Sequence, residues 1–345
     1  MHISPLPFVL AITAFSISPV AVRAAEPDLE AASARFKKLF DEGDYRSAID
    51  AAQETVRIAL DKYGPDATET AACAHNLAEA LVQRGFLEDA EALLMHALSV
   101  NERKLGGSAA ATASDLNSLG HVSWRRNKPQ AAEGYYKRAL QAREKTLGVD
   151  HVDTATTLDN LAVLYDSQQR FRESEPLHAR AIAIFLAAPG REVNAATAIN
   201  NLADMHSRRG EQAAAEKLYR RSLEILEKKL GVDHPMTALS LGNVGAACAE
   251  RQMFLEAETM LKRALAVREK HFGQDHEYTI NSLHSLGSLY ADMGRYEAAE
   301  PLLTRAVEAG GRVFGPDDRR TRMMRNLLRD VRRHTPASTE ARPGN

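Results

Sequence analysis

The chain has 345 residues, with 44 Lys and Arg side chains against 46 Asp and Glu, and a formal net charge of −2. This balance excludes a strongly basic nucleic-acid-binding module, and the two cysteines exclude a disulfide scaffold. Aromatic residues make up only 6% of the sequence, which favours an alanine- and leucine-rich helical protein over a sheet.

The first 24 residues carry the features of an export signal. Residues 6–17 form an apolar run that is too short to span a bilayer. The run is followed by Val22-Arg23-Ala24, a small-residue pattern typical of cleavage after Ala24, although the segment before the run contains no Lys or Arg. We therefore expect 1–24 to be a signal peptide and the protein to be periplasmic or secreted. If the signal does not function, the protein is cytoplasmic.

Glycine recurs through the rest of the chain every 42 residues, with one interval of 41. The text between the glycines recurs too: LDNLAVLY at 158–165 matches LHSLGSLY at 283–290. Constant spacing of this kind indicates a repeat protein. The recurring glycines are Gly64, Gly106, Gly148, Gly190, Gly231, Gly273 and Gly315.

Each repeat predicts two amphipathic helices. In the first helix, apolar residues return every three or four positions, as Leu158, Leu161 and Tyr165 do. In the second, small residues such as Ala132 and Ala139 allow close helix packing. The turns between the two helices carry a residue suited to the left-handed conformation that ends a helix. These turn residues are Gly85, Asn127, Gln169, Gly210, Gln252 and Gly294.

The sequence thus predicts an all-α fold of stacked antiparallel helix pairs over 25–334. A final amphipathic helix would cover the open apolar face of the last pair. The tail 335–345, with Pro, Ser, Gly and charged residues, is expected to be disordered. The predicted units are 28–63, 64–105, 106–147, 148–189, 190–230, 231–272 and 273–314, followed by a capping helix at 315–334.

The segments Asn160-Leu161-Ala162, Glu175-Pro176-Leu177 and Gly231-Val232-Asp233-His234-Pro235 resemble the tetratricopeptide repeat (TPR). The likeness is to its 42-residue form, typical of kinesin light chains and many bacterial proteins, and it covers about 28–334. It implies a right-handed α-solenoid whose first helices line a concave groove. It also implies a non-catalytic scaffold that binds a peptide or protein segment there.

Polar residues on the first helices are the candidate groove residues. On a helical wheel they lie opposite the apolar stripe, and the recurrence of asparagine is not explained by helix propensity. An amide has donors and an acceptor together, which suits the backbone of an extended peptide. By resemblance we assign this role to Asn76, Asn117, Asn160, Asn200, Asn201 and Asn243, with Asp159, Asp204 and His284 as variable contact positions. Alternatively, one asparagine per repeat bonds to the neighbouring helix and fixes the stacking.

Catalytic and metal-binding motifs are absent from the sequence, so we predict no catalytic residues, cofactor or metal. His151, His234 and His276 each precede a first helix, and we interpret them as helix caps because ligands one repeat apart are too distant for one metal ion. An enzyme is the least favoured interpretation; Glu79 and His121, which could meet as an ion pair, are its nearest candidates.

Two further alternatives remain open. An envelope assembly or oligomerisation scaffold would pair the ends or convex faces of several copies. The arginines of the last helix form either the polar outer face of a cap or a patch for an acidic partner or anionic lipid. The expected partner is a protein or peptide segment and not nucleic acid, no membrane span is expected after signal removal, and the oligomeric state stays open.

Overall fold

The computed structural model describes residues 28–334, so the predicted signal peptide at 1–24 and the tail at 335–345 lie outside the described residues. Fifteen α-helices and no strand occur between residues 28 and 334. The helices are α1 (Leu29–Asp41), α2 (Tyr45–Tyr63), α3 (Thr68–Gln83), α4 (Leu87–Leu105), α5 (Ala110–Arg125), α6 (Pro129–Thr146), α7 (Val152–Ser167), α8 (Phe171–Ala187), α9 (Glu192–Arg208), α10 (Gln212–Leu230), α11 (Pro235–Glu250), α12 (Phe254–Phe272), α13 (Glu277–Asp292), α14 (Tyr296–Val313) and α15 (Arg319–His334).

Short turns join these helices into antiparallel pairs, which confirms the predicted all-α architecture. The chain separates into two compact units, the first ending at Ile184 inside α8 and the second starting at Phe185. Leu77, Leu94 and Leu116 lie in the core of the first unit, and Leu241 and Leu303 in that of the second. No helix in the described part is long and apolar enough to cross a membrane.

The turns between paired helices have the predicted left-handed residues. Gly85 has a φ of 82°, and Asn127, Gln169 and Gln252 have φ values of 58°, 60° and 60°. At Asn127 the turn closes with its N–H donating to the Trp124 carbonyl oxygen at 2.9 Å. A residue with a Cβ atom is destabilised by about 1–2 kcal/mol in this conformation, so the two glutamine turns store a local strain that glycine would not.

Small residues provide the close helix approach that the sequence predicts. Gly245 of α11 lies so near α12 that a Cβ atom there would come within 2.7 Å of Leu261 Cγ. Gly120 and Gly287 make similarly close approaches to the second helix of their pair. The small residues of the second helices are all fully buried: Ala90, Ala97, Ala132, Ala139, Ser174, Ala181, Ala215, Ser222, Ala257, Ala264, Ala299 and Ala306.

The predicted helix caps and the predicted capping helix are also present in the structure. The Nδ1 atoms of His151, His234 and His276 accept a hydrogen bond from the second following backbone N–H at 3.1–3.2 Å, so their predicted role as helix caps is confirmed. Helix α15 buries Leu328 and Met324 against the second unit's core, as expected of a cap.

Within each unit, charged side chains link second helices of successive pairs through residues 36 positions apart. Arg180 of α8 pairs with Glu144 of α6 at 2.6 Å, and Arg263 of α12 pairs with Glu227 of α10 at 2.6 Å. Arg138 with Glu102 and Arg305 with Glu269 repeat the same contact. These pairs are partly exposed, so each contributes about 0–1 kcal/mol and mainly fixes the spacing of successive pairs.

Candidate functional site

The candidate groove residues of the first unit lie on α3, α5 and α7, where Asn76, Asn117 and Asn160 are all half-buried. The Nδ2 atom of Asn160 donates a hydrogen bond to Asn117 Oδ1 at 3.1 Å, which joins α7 to α5. This bond is of the kind that the sequence analysis offered as the alternative, in which an asparagine bonds to a neighbouring helix and fixes the stacking. It uses only part of the hydrogen-bonding capacity of the two amides.

We name Asn117 and Asn160 the amide pair. After their mutual bond, the NH₂ group of Asn117 and Oδ1 of Asn160 have no further hydrogen-bond partner within residues 28–334. If both amides were turned over, one donor group and one acceptor would again remain. The pair therefore presents a donor beside an acceptor, the complement of one peptide unit with its C=O and N–H.

A polar network joins α3 and α4 to α5, the helix that carries Asn117. His75 Nδ1 lies 2.7 Å from Asp115 Oδ1, and Asn101 Nδ2 donates to Asp115 Oδ2 at 2.7 Å. Burial lowers the pKa of His75, but the hydrogen bond to Asp115 and the charges of Asp115 and Glu79 together outweigh burial, so the net pKa is raised. Asp115 is thus held on both oxygens, and this network fixes the two helices on which the candidate face is built.

The suggested catalytic pair is not formed. Ser118 Oγ donates to Glu79 Oε1 at 2.5 Å, so Glu79 is bound by a hydroxyl of the neighbouring helix. His121 makes no ion pair with Glu79 within the described part of the chain, and burial lowers the pKa of His121. Glu79 therefore does not orient His121, as the base and orienting group of the enzyme interpretation would require.

Asp159 does not face solvent as the helical wheel predicts. It is 9% exposed and lies beneath α7, with Oδ1 2.8 Å from His178 Nδ1 of α8. The other imidazole nitrogen, Nε2, lies 2.8 Å from Asp166 Oδ2. Asp159 comes directly after Leu158 in the helix, close enough to the core stripe for its short side chain to reach the paired helix. We name Asp159, His178 and Asp166 the buried triad.

The electrostatics of the buried triad favour a charged imidazole. His178 is fully buried, which lowers its pKa, but the hydrogen bonds and charges of two carboxylates together outweigh burial and raise the pKa to about 9. At neutral pH the triad therefore contains one cation between two aspartates. It binds the two helices of one pair together, which is a structural role and not a contact with a ligand.

The candidate residues of the second unit are less uniform. Asn200 is only 7% exposed, so its predicted outward placement is wrong, and its Oδ1 has no hydrogen-bond partner in the described residues. Ala198, Ile199 and Ala203 of the same helix are fully buried as well, so Asn200 lies in a stretch of α9 that packs inward. Asn201, Asn243 and His284 are half-buried, and burial lowers the pKa of His284. Asp204 is exposed and accepts a hydrogen bond from the Tyr219 hydroxyl.

Two buried arginines were missed by the sequence reasoning. Arg143 of α6 is 7% exposed and Arg268 of α12 is 8% exposed. Arg143 Nη1 donates to Thr157 Oγ1 at 2.6 Å, and Arg268 Nη1 donates to Ser282 Oγ at 2.6 Å, so each side chain reaches the next first helix. Burial lowers the pKa of both guanidinium groups.

The spacing of residues in the repeat does indicate that these two arginines point inward. Each lies four residues after the second small residue of its helix, Ala139 or Ala264. Residues four apart share one face of a helix, so both arginines occupy the inward stripe. The prediction treated them as part of the basic end of the second helix and did not separate the inward position from the solvent-facing ones.

The cysteines and the metal-binding residue types add no site. Cys73 and Cys248 are free and buried, and burial raises the pKa of both thiols. Among residues 28–334, no group of three or more His, Cys, Asp or Glu side chains is arranged to hold a metal ion.

Comparison with known proteins identifies the repeat. A tetratricopeptide repeat family model matches residues 39–103, 71–145, 110–187, 194–270 and 243–310. No match was found among functionally curated proteins. The fold is similar to the apo form of RapI, at 16% identity and a TM-score of 0.63 over 88% of this chain and 86% of that one.

Two other solved structures share the fold. A Rap protein complexed with Competence and Sporulation Factor is 17% identical, with a TM-score of 0.61 over 89% of this chain and 86% of that one. BtubC (BKLC) from P. vanneervenii is 24% identical, with a TM-score of 0.51 over 59% of this chain and 81% of that one. At these identities the likeness concerns the fold.

Proposed function

The chain belongs to the tetratricopeptide repeat family, and from that premise we propose that it is a non-catalytic scaffold that binds an extended peptide or protein segment along α3, α5 and α7. The observation that carries the proposal is the amide pair, Asn117 with Asn160, which keeps one donor and one acceptor available after its own bond. One peptide unit of an extended ligand would receive a hydrogen bond from Asn117 and donate one to Asn160. A Rap protein of similar fold has been solved with Competence and Sporulation Factor, which supports ligand binding on this scaffold.

The surroundings of the amide pair favour recognition. Both amides are half-buried and already held by their mutual bond, so binding costs less side-chain entropy than it would with free surface asparagines. The network of His75, Asp115 and Asn101 fixes α3 against α5, which keeps the face rigid. Each neutral hydrogen bond contributes about 0.5–1.5 kcal/mol net. A segment that makes several of them should bind with a Kd on the order of micromolar.

Selection of ligands from a displayed library of random peptides tests the proposal. Peptides selected on the full-length protein are measured by calorimetry against the Asn117→Ala/Asn160→Ala double variant. We expect affinity to fall about tenfold or more, because two hydrogen bonds to the peptide backbone are removed. Replacing successive peptide N–H groups by N-methyl groups should identify a single position that reproduces this loss.

The matched control is Gln141→Ala, which removes an exposed amide from α6. It should leave both peptide affinity and thermal melting unchanged. If the double variant keeps the melting temperature and still binds the peptides as tightly as the unmodified protein, the amide pair is not the binding site. If it unfolds, the amides serve only the stacking of α5 and α7, and the proposal also fails.

We propose further that this scaffold acts after export, with residues 1–24 as the signal. The proposal rests on the apolar run 6–17 and the small-residue pattern that ends at Ala24. Expression of the full chain in a bacterial host, followed by fractionation and N-terminal sequencing, should place the protein in the periplasm with Ala25 as its first residue. Deletion of 6–17 should leave it in the cytoplasm, and an uncleaved cytoplasmic full chain would refute the proposal.

A further inference from the structure

A small pocket lies in the second unit, where α11, α12 and α13 meet. Its walls are Pro235, Met236, Leu239, Arg268, Phe272 and Tyr278. Its volume is about 130 Å³, which is space for about four water molecules. Five of the six walls are apolar or aromatic, and the sixth carries a guanidinium group. Leu239 and Tyr278 are 46% and 49% exposed, so the pocket opens to solvent between them.

The buried guanidinium group of Arg268 has no counter-charge within residues 28–334. Its Nη1 donates to Ser282 Oγ at 2.6 Å and to the Tyr278 carbonyl oxygen at 3.3 Å, and both acceptors are uncharged. No carboxylate forms an ion pair with Arg268 within residues 28–334, and its Nη2 and Nε atoms have no hydrogen-bond partner there. A cation that is more than nine-tenths buried is costly without a counter-charge. An anion in the pocket would supply one.

The first helix of the same pair leaves room beside the guanidinium group of Arg268. Gly242 of α11 faces it, and a Cβ atom there would lie 3.3 Å from Arg268 Nη2. Most other repeats carry a polar side chain at this position, for example Asn117 in α5. Glycine therefore keeps open the side of Arg268 that has no protein partner.

Arg143 in the first unit is an internal comparison. Its Nη1 makes the same two contacts, with Thr157 Oγ1 and the Asp153 carbonyl oxygen. The positions that correspond to the pocket walls, however, are filled mainly by small residues and an acidic one. The set is Ala110, Ala111, Ser114, Leu147 and Asp153, in place of Pro235, Met236, Leu239, Phe272 and Tyr278. Both arginines therefore contact the next first helix in the same way. Of the two, only Arg268 is surrounded by apolar walls.

From these observations we infer that the pocket binds a carboxylate carried on a compact apolar stem. The carboxylate would accept hydrogen bonds from Nη2 and Nε of Arg268, the two-pronged geometry that guanidinium and carboxylate groups share. A branched or aryl stem would pack against Leu239, Phe272 and Tyr278. Two sources offer this chemistry, a free carboxylic acid and the last residue of a peptide. The inference does not depend on the amide pair, which lies in the other unit.

The test uses 4-methylpentanoate and 3-phenylpropanoate as probes, with the corresponding amides as uncharged controls. Titration into the full-length protein, followed by the ¹³C-methyl NMR signal of Met236, should give saturable shifts with a Kd on the order of millimolar for fragments of this size. The amides should bind about tenfold more weakly or worse, because they lose the charged hydrogen bonds. The peptides acetyl-Ala-Ala-Leu and acetyl-Ala-Ala-Leu-amide form the second arm. Tighter binding of the free-acid peptide than of 4-methylpentanoate assigns the site to peptide ends, and weaker binding assigns it to free acids.

Three variants separate binding from folding. Arg268→Gln should weaken the acid probes about tenfold or more, while Arg143→Gln should leave their affinity unchanged. Leu239→Trp fills the pocket from an exposed position that the fold does not need, and it should block binding with the helical circular dichroism intact. The inference is overturned if neither acid shifts Met236, if the amides bind as well as the acids, or if Leu239→Trp leaves the affinity unchanged.

Discussion

The buried triad should make the folded protein less stable as the pH rises. His178 has a pKa of about 9 in the folded protein against 6.5 for an ordinary histidine, because Asp159 and Asp166 each lie 2.8 Å from one of its nitrogens. The folded state thus holds a proton that the unfolded state releases near pH 6.5. This contribution is fully present below pH 6.5 and is lost as the pH rises through 9.

The magnitude follows from the shift. A pKa of about 9 in place of 6.5 corresponds to about 3 kcal/mol of unfolding free energy. Urea unfolding followed by circular dichroism at pH 6 and pH 9.5 should show this loss in the unmodified protein. In His178→Gln the difference between the two pH values should be smaller by about the same amount. That variant should also be less stable at pH 6, because both aspartates remain buried without a cation.

His271→Gln is the matched control, since His271 lies exposed on α12 and is not part of the triad. It should keep the pH dependence of the unmodified protein. An NMR titration of the His178 ring protons measures the pKa directly. The reasoning is refuted if His178 titrates near 6.5, or if His178→Gln loses as much stability between pH 6 and pH 9.5 as the unmodified protein does.

Three further predictions concern the helix turns, the helix contacts and the cap. Gln169→Gly should raise the unfolding free energy by about 1 kcal/mol because glycine adopts the left-handed turn without strain, whereas Gln168→Gly, at a φ of −96°, should lower it. Gly245→Ala should lower the unfolding free energy by about 1–3 kcal/mol because its Cβ meets Leu261, while Gly134→Ala, which has open space around it, should raise it by up to about 1 kcal/mol; equal effects would refute the close approach. Leu328→Ala should cost about 2–5 kcal/mol if α15 covers the core, and a loss below about 1 kcal/mol in urea unfolding would contradict that role.

The fold could be predicted because each repeat states the same pattern again. The turn residues at Gln169 and Gln252 and the caps at His151, His234 and His276 were found because spacing identified them even where the residue type was unusual. Local rules suffice for such features, since a turn or a cap involves only residues near in sequence.

The candidate site could be predicted only in part. A helical wheel divides residues into inward and outward, but Asp159 and Asn200 lie near the edge of the apolar stripe, where the outcome depends on what the paired helix offers. Asp159 points inward because it bonds to His178, which lies 19 residues away on another helix. Arg268 escaped notice because a charged residue on an inward face contradicts the binary pattern. Its partners come from the next repeat. A short stretch of sequence does not show which residues of neighbouring repeats contact each other.

The arginine–glutamate contacts between successive second helices bear on how the number of repeats can change. Each contact joins residues 36 positions apart, less than the 42-residue period, and the same two residue types recur on both sides. Excision of 106–147 would remove Arg138 and Glu144 together, and Arg180 would then find Glu102 where Glu144 had been. Duplication of one period would add a matched pair in the same way. A gene that encodes this chain can therefore lose or repeat this period during evolution without leaving an unmatched charge at these contacts.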